Sequence, residues 1–243
     1  MIALLLNSGR GSRMGDETRE HPKCMTRISD TETIISWQVR LLRACGVTEA
    51  VVTTGPFAEL LRDHLESLDS GIRFRYVANP LYAETNYIYS MYLARALLRD
   101  DVLLLHGDLV LHPALMQALV SSDVSRCVTD RTLPLPEKDF KAQLENGRIR
   151  AIGIDRFGPD CEASQPAYHF LRADFERWMA EIVRFVERGE RGCYAENAFN
   201  AASAEIPLYP LEADGRLCSE IDTPEDLQRV SAAYATMLRE MNL

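Results

Sequence analysis

The sequence is short of three things, and each shortage removes a class of function. Positive charge is the first: 27 Lys and Arg stand against 36 Asp and Glu, a formal net charge of −9. Such a chain has no general attractive field for nucleic acid or for an anionic membrane, so neither is expected as a partner, and any anionic ligand must be held by a local cluster of cations. Long apolar runs are the second. None approaches eighteen residues, and the opening run 2–6 meets polar Asn7 too early for a secretory leader, so a soluble, cytoplasmic protein is expected. Paired cysteines are the third. The six cysteines, at positions 24, 45, 127, 161, 193 and 218, show no CxxC or CxxH spacing. They read as reduced thiols, several in the core, and not as a structural zinc site.

What is present is enough apolar material, 47% of 243 residues, for a continuous core. Apolar runs bounded by turn residues recur at 2–6, 50–53, 72–77 and 102–105, the pattern of buried parallel strands. Helical patterns lie between them, at 34–45, 57–68 and 87–98. Strand and helix in alternation predict right-handed βαβ units. After residue 120 the strand-like pieces shorten (125–129, 140–144, 149–154 and 167–171) and are separated by Leu-Pro-Leu-Pro, Asn-Gly and Phe-Gly-Pro turns, which predicts antiparallel additions. An amphipathic helix over 174–188, a polar segment over 194–200, a strand near 205–209 and a closing helix capped at Thr223-Pro224-Glu225 complete the reading. The expected fold is α/β: a Rossmann-like mixed, mostly parallel sheet flanked by helices. No linker divides it, so residues 1–243 are read as one domain, with 1–120 as a nucleotide-binding half and 121–243 as an acceptor-binding half.

In open α/β sheets ligands bind at the carboxyl ends of the strands, which puts the loop after the first strand in the expected place for a site. That loop reads Asn7-Ser8-Gly9-Arg10-Gly11-Ser12-Arg13, followed by Pro22-Lys23. Its glycines free the backbone to approach a ligand, and exposed N–H groups there can cradle phosphate oxygens. Neither familiar phosphate motif fits: the third glycine of a dinucleotide fingerprint comes one place late, at Gly15, and no Gly-Lys-Ser/Thr follows. Arg10, Arg13 and Lys23 can neutralise a triphosphate, or they can pair with Asp16, Glu17 and Glu20 in a solvated loop; both readings are open from these residues alone.

The stretch LLLNSGRGSRMG…HPKCM resembles the signature of nucleotidyltransferases of the sugar-phosphate and headgroup type, a Leu-x-x-Gly-x-Gly-x-Arg turn followed by Pro-Lys. The departure is Asn7-Ser8, where Ala-Ala or Ala-Gly is common. In that family the turn wraps a nucleoside triphosphate and the lysine contacts its phosphates. The resemblance extends along the chain, with motifs at 6–25, 86–93, 107–108 and 219–226. It implies that Asp108, in the Gly-Asp that follows the fourth strand, and Asp222, in Glu220-Ile221-Asp222, are Mg²⁺ ligands, with Glu220 beside them. Read alone, Asp108 is equally an ordinary turn residue and Asp222 a helix cap.

Asn86-Tyr87-Ile88-Tyr89-Ser90-Met91 is similar to the Asn-x-x-Tyr-Ser segment of bacterial phosphocholine cytidylyltransferases and their phosphonate (2-aminoethylphosphonate) relatives. The resemblance implies CTP as the nucleotide, with Asn86 and Ser90 near it. It implies as acceptor a small phosphonate or phosphorylated headgroup of the 2-aminoethylphosphonate or phosphocholine type. A cationic headgroup is recognised by aromatic faces and carboxylates, which makes Tyr168, Tyr194, Glu196 and Asn197 the acceptor candidates. Trp178 sits in an amphipathic helix and reads as core. Lys141 is a candidate for the acceptor's phosphate or phosphonate, or a residue of a solvated strand edge.

The implied reaction is in-line attack of an acceptor oxygen on the α-phosphorus of CTP, releasing pyrophosphate, with Arg13, Lys23, Asp108 and Asp222 as the catalytic set. A dianionic acceptor needs no general base, and no histidine is placed by the motifs. A sugar-1-phosphate nucleotidyltransferase and a non-catalytic nucleotide sensor are the alternatives. Apolar Val230, Tyr234, Met237 and Leu238 on the last helix suit either core or an oligomer interface.

Overall fold

A computed structural model describes residues 1–242. The central strand β1 (Ile2–Asn7) is buried along its whole length, running parallel to β2 (Glu49–Thr54) on one side and β4 (Val102–His106) on the other. A strand covered on both faces needs no polar alternation, which is why its sequence is a continuous apolar run. Its side chains nonetheless divide between two cores. Ala3 and Leu5 join the layer built with α1 (Ile34–Ala44), α2 (Ala58–Ser67), α4 (Pro113–Val120) and α7 (Pro224–Glu240); Leu4 and Leu6 join that of α3 (Tyr87–Ala94), α5 (Arg172–Glu187) and α6 (Ala195–Ala202).

The sheet runs β10-β6-β9-β4-β1-β2-β3, with β3 at Arg73–Ala78, β6 at Ser125–Asp130, β9 at Cys161–Phe170 and β10 at Leu208–Glu212; β7 (Lys141–Glu145) and β8 (Arg148–Gly153) attach through β9. The mixed, mostly parallel sheet is as expected. The antiparallel additions are β9, against both β4 and β6, and the β7–β8 pair; β10 is parallel to β6 and departs from that expectation.

Several boundaries differ for physical reasons. The strand expected over 167–171 is the end of a ten-residue β9. The polar segment 194–200 is helical, because Ala195, Ala198 and Phe199 share one buried face among polar neighbours. The strand near 205–209 begins only at Leu208, since the Glu205 N–H closes the turn after α6 on the Ala202 carbonyl. The helix over 87–98 becomes a 3-10 turn at Arg95–Leu97. Val230, Tyr234 and Met237 are core, with Tyr234 edge-on to Trp37 at 5.0 Å.

One device matters most for the site. β5 (Leu109–Leu111) pairs antiparallel with β11 (Cys218–Glu220), setting Glu220 opposite Leu109, and the Ile221 N–H donates to the Asp108 carbonyl at 3.0 Å. Two three-residue strands thus bring position 222 to position 108. Thr223 then caps α7 with a reciprocal box to Asp226, which fixes where Asp222 ends.

Candidate functional site

β1 and β4 deliver Asn7 and His106 to the same sheet edge, and the loops that leave them form the floor of a cleft. Gly107 is required there: a Cβ would lie 1.8 Å from Asn7 Oδ1 and 2.9 Å from the Leu6 carbonyl, so only glycine lets the two loops touch. Gly11 has φ +66°, the left-handed turn that swings the chain toward Lys23. The Gly9, Arg10 and Gly11 N–H groups have no protein partner among the described residues.

The cleft has two main hollows. The first, ≈ 280 Å³, lies between the opening turn (Gly9 to Arg13), Lys23 and Asp108. The second, ≈ 320 Å³, lies between Tyr87, His106, Lys138, Tyr194 and Glu220. Arg13 and Asp108 line both. A smaller hollow of ≈ 170 Å³ beside Ser8, Tyr82 and Asn86 continues them, and Arg10 lies over the Tyr82 ring at 5.5 Å.

Where the two hollows meet, the Lys23 ammonium bridges Asp108, at 2.6 Å, and Asp222, while Arg13 Nη2 reaches Asp222 Oδ1 at 2.8 Å. Burial works against the charge of Lys23, but the two carboxylates outweigh it and hold its pKa up. Burial likewise opposes ionisation of Asp108, but the charges of Lys23 and His106 and the hydrogen bonds from Lys23 and the backbone together outweigh it and hold the carboxyl below its ordinary value. His106 Nδ1 lies 3.2 Å from Glu220 Oε1. Burial and the neighbouring Asp108 push Glu220 up to about 7.

The residues present suit a divalent cation. Asp108 Oδ1 is buried without a partner, and a lysine ammonium already sits between the two aspartates. That is the donor set Mg²⁺ uses, one or two carboxylates with the remaining positions left to water and phosphate. His106, Asp108 and Glu220 also place one ligand atom each within 4.8 Å of one another, though an imidazole in the set suits transition metals better than Mg²⁺.

Asn7, Gly9, Arg10, Gly11, Ser12, Arg13, Lys23, Asn86, Asp108, Tyr194, Glu220 and Asp222 all line the cleft. Ser8 does so while its hydroxyl turns to Ser90. Ser90 itself is fully buried, 2.6 Å from Ser8 Oγ and 3.0 Å from Asn79 Nδ2; it supports the loop from beneath and lines none of the three hollows. Lys141 is also outside. Its ammonium donates to the Pro136 and Glu137 carbonyls and lies over the Phe157 ring, so it tacks down the segment before β7. Tyr168 and Glu196 are buried behind the wall, and Asn197 is exposed away from it.

The motifs missed Tyr87, His106, Lys138 and Phe140 as lining residues. His106 stands directly before Gly107-Asp108, so a strand carrying Asp108 to the edge necessarily carries its neighbour. Lys138, in the loop before β7, lines the cleft where Lys141, at the start of the strand, does not.

Residues 3–133 match a family model described as the MobA-like NTP transferase domain. The chain belongs to that family. Within the NTP transferases it is 33% identical over 126 residues to the CMP-5'-(3-aminopropyl)phosphonate synthase of Streptomyces rubellomurinus, covering 52% of this chain and only 20% of that longer protein. It is 25% identical to the CTP:phosphoglutamine cytidylyltransferase of Campylobacter jejuni, covering 94% of this chain and 98% of that one. The solved CTP:phosphocholine cytidylyltransferase of Streptococcus pneumoniae superposes with a TM-score of 0.76 at 20% identity, over 96% of this chain and 99% of that one, and so shares the fold.

Proposed function

We propose that the chain is a cytidylyltransferase that joins CTP to a small phosphonate or phosphorylated headgroup, giving the CDP or CMP conjugate and pyrophosphate. The observation that carries the reading is the Lys23 ammonium of the first hollow held between Asp108, which lines both hollows, and Asp222, which lines the second. A group transfer between two anions needs that arrangement: one hollow for each, and a concentration of opposite charge where they meet. The whole chain acts as one unit, with the nucleotide held mainly by its first half and the acceptor largely by its second.

In this reading the free N–H groups of Gly9 to Gly11 receive phosphate oxygens, while Arg10, Arg13 and Lys23 supply positive charge to the triphosphate. Lys138 and Arg13 attract the acceptor's phosphate or phosphonate from the other side. Asp108 and Asp222 hold Mg²⁺, which when bound neutralises charge on the reacting phosphates. Catalysis is then positioning and charge compensation. The sequence motifs placed no histidine, but His106 is in the cleft wall, with Nδ1 turned to Glu220. A dianionic acceptor is nucleophilic without deprotonation, so the reaction still needs no base.

The test is pyrophosphate release with Mg²⁺ and CTP, offered phosphocholine, 2-aminoethylphosphonate, 3-aminopropylphosphonate, phosphoglutamine and glucose 1-phosphate in turn. Turnover with a headgroup and CTP, and not with UTP or ATP, is expected. Turnover only with glucose 1-phosphate would replace the reading by a sugar-phosphate nucleotidyltransferase. Nucleotide binding with no turnover would leave a sensor.

A further inference from the structure

Glu196 is a carboxylate 1% exposed, on the first turn of α6, and it touches neither hollow. Both its oxygens are used by phenols: Tyr168 donates to Oε1 at 2.9 Å and Tyr87 donates to Oε2. The two tyrosines differ in their surroundings. Tyr168 is locked in the core, its ring 6.0 Å from Trp178 and 5.9 Å from Phe170. The Tyr87 ring is a wall of the second hollow, edge-on to His106 at 4.7 Å and 6.0 Å from Tyr194.

Resting on the cytidylyltransferase reading, we infer that Glu196 is a positioning residue that fixes the acceptor wall through Tyr87, without touching the acceptor. Because its hydroxyl is committed to Glu196, Tyr87 offers the acceptor ring surface and no donor. The orientation of that ring depends on a link that crosses from α3 to α6. A second link runs beside it, from the Asn86 N–H to the Arg191 carbonyl at 2.8 Å, so the start of α3 and the segment leading into α6 are tied at two adjacent points. Tyr194, immediately before α6, packs edge-on against Phe140 at 5.0 Å in the wall of the same hollow. Loosening Glu196 therefore frees two aromatic walls together, while the opening turn keeps its link to Ser90, about one turn further along α3.

The test compares Glu196→Ala, Glu196→Gln, Tyr87→Phe and the double variant Glu196→Ala/Tyr87→Phe, using whichever of the five acceptors named above wild type turns over best. Glu196→Ala and Tyr87→Phe should each raise the acceptor KM about tenfold, the order expected for losing a buried charge-assisted hydrogen bond, with the CTP KM within about twofold. The double variant should be little worse than Glu196→Ala. Glu196→Gln should stay close to wild type, because an amide can accept from one phenol and donate to the other. If the two effects multiply in the double variant, if the CTP KM rises in parallel, or if the acceptor KM does not move, the inference is wrong. Should Glu196→Ala fail to fold, Tyr87→Phe removes only a hydroxyl and decides by the same readout. Hydrogen exchange needs no acceptor: in Tyr87→Phe it should quicken over 86–88 and 189–197 together and stay unchanged over 9–15. A wild type silent toward all five acceptors refutes the proposed function, and the exchange pattern then still upholds or overturns the coupling.

Discussion

The two sides of the cleft are built in opposite ways. The proposed nucleotide side is mostly one continuous stretch, Asn7 to Lys23, leaving the central strand, with Gly107 and Asp108 from the loop after the neighbouring strand beneath it. The acceptor side draws Tyr87 from α3, His106 from β4, Lys138 and Phe140 from the loop before β7, Tyr194 from the start of α6 and Glu220 from β11. A wall made of one turn keeps its geometry through local backbone constraints. A wall made of five segments needs cross-links, and two found here (Tyr87 on Glu196, Asn86 on Arg191) tie α3 to α6 and the segment leading into it. The first design suits a ligand common to many relatives, and the second lets the acceptor change by substitution in any one segment.

The difference can be broken most forcefully where the sides meet. Asp108→Asn should lower turnover by about a thousandfold, since it weakens the hold on the Mg²⁺ proposed to neutralise the reacting phosphates. Chelation of divalent ions should abolish wild-type turnover and added Mg²⁺ restore it, both read by pyrophosphate release. Gly107→Ala attacks the backbone of the floor. Its Cβ cannot fit against Asn7 and Leu6, so a loss of about 3 kcal/mol in urea denaturation is expected. Gly9→Ala, with nothing within 4 Å of the added carbon, should leave stability unchanged.

A smaller effect should separate support from contact. Ser90→Ala leaves Ser8 and Asn79 short of a partner, so a stability loss of about 1–2 kcal/mol is expected by denaturation. The CTP KM should change only as far as the opening turn relaxes.

The smallest effect is expected away from both walls. His169 is 1% exposed on β9, and burial lowers its pKa below the ordinary value of 6.5. The folded protein therefore binds fewer protons there than the unfolded chain. The associated stability is fully present above pH 6.5 and is lost as pH falls from there toward the folded value. In His169→Gln, the urea midpoint between pH 6.5 and 5 should fall less steeply than in wild type.

The same contrast explains what could be read beforehand. The strands β1, β2 and β4 and the opening turn are legible because their signals are local: a buried run, a glycine turn, a proline-lysine pair. The meeting of Asp108 with Asp222 was legible only through family resemblance. The strands that arrange it, β5 and β11, are three residues each and too short for any periodicity to show. Glu196 and Tyr168 carry the right chemistry for an acceptor site, yet they lie one layer behind it. Residue type cannot tell a wall from its support when the link is between helices distant in sequence. Ser90 fell to the same ambiguity, and Lys138 lies three residues before β7 begins, outside any strand pattern.

The most direct test of the two-sided cleft is the pair Arg10→Ala and Lys138→Ala, assayed by pyrophosphate release with CTP and acceptor each varied. Arg10→Ala should raise the CTP KM roughly tenfold and leave the acceptor KM within about twofold, and Lys138→Ala should do the reverse. If each substitution raised both constants equally, the two hollows would not be separate substrate sites, and the account would be contradicted.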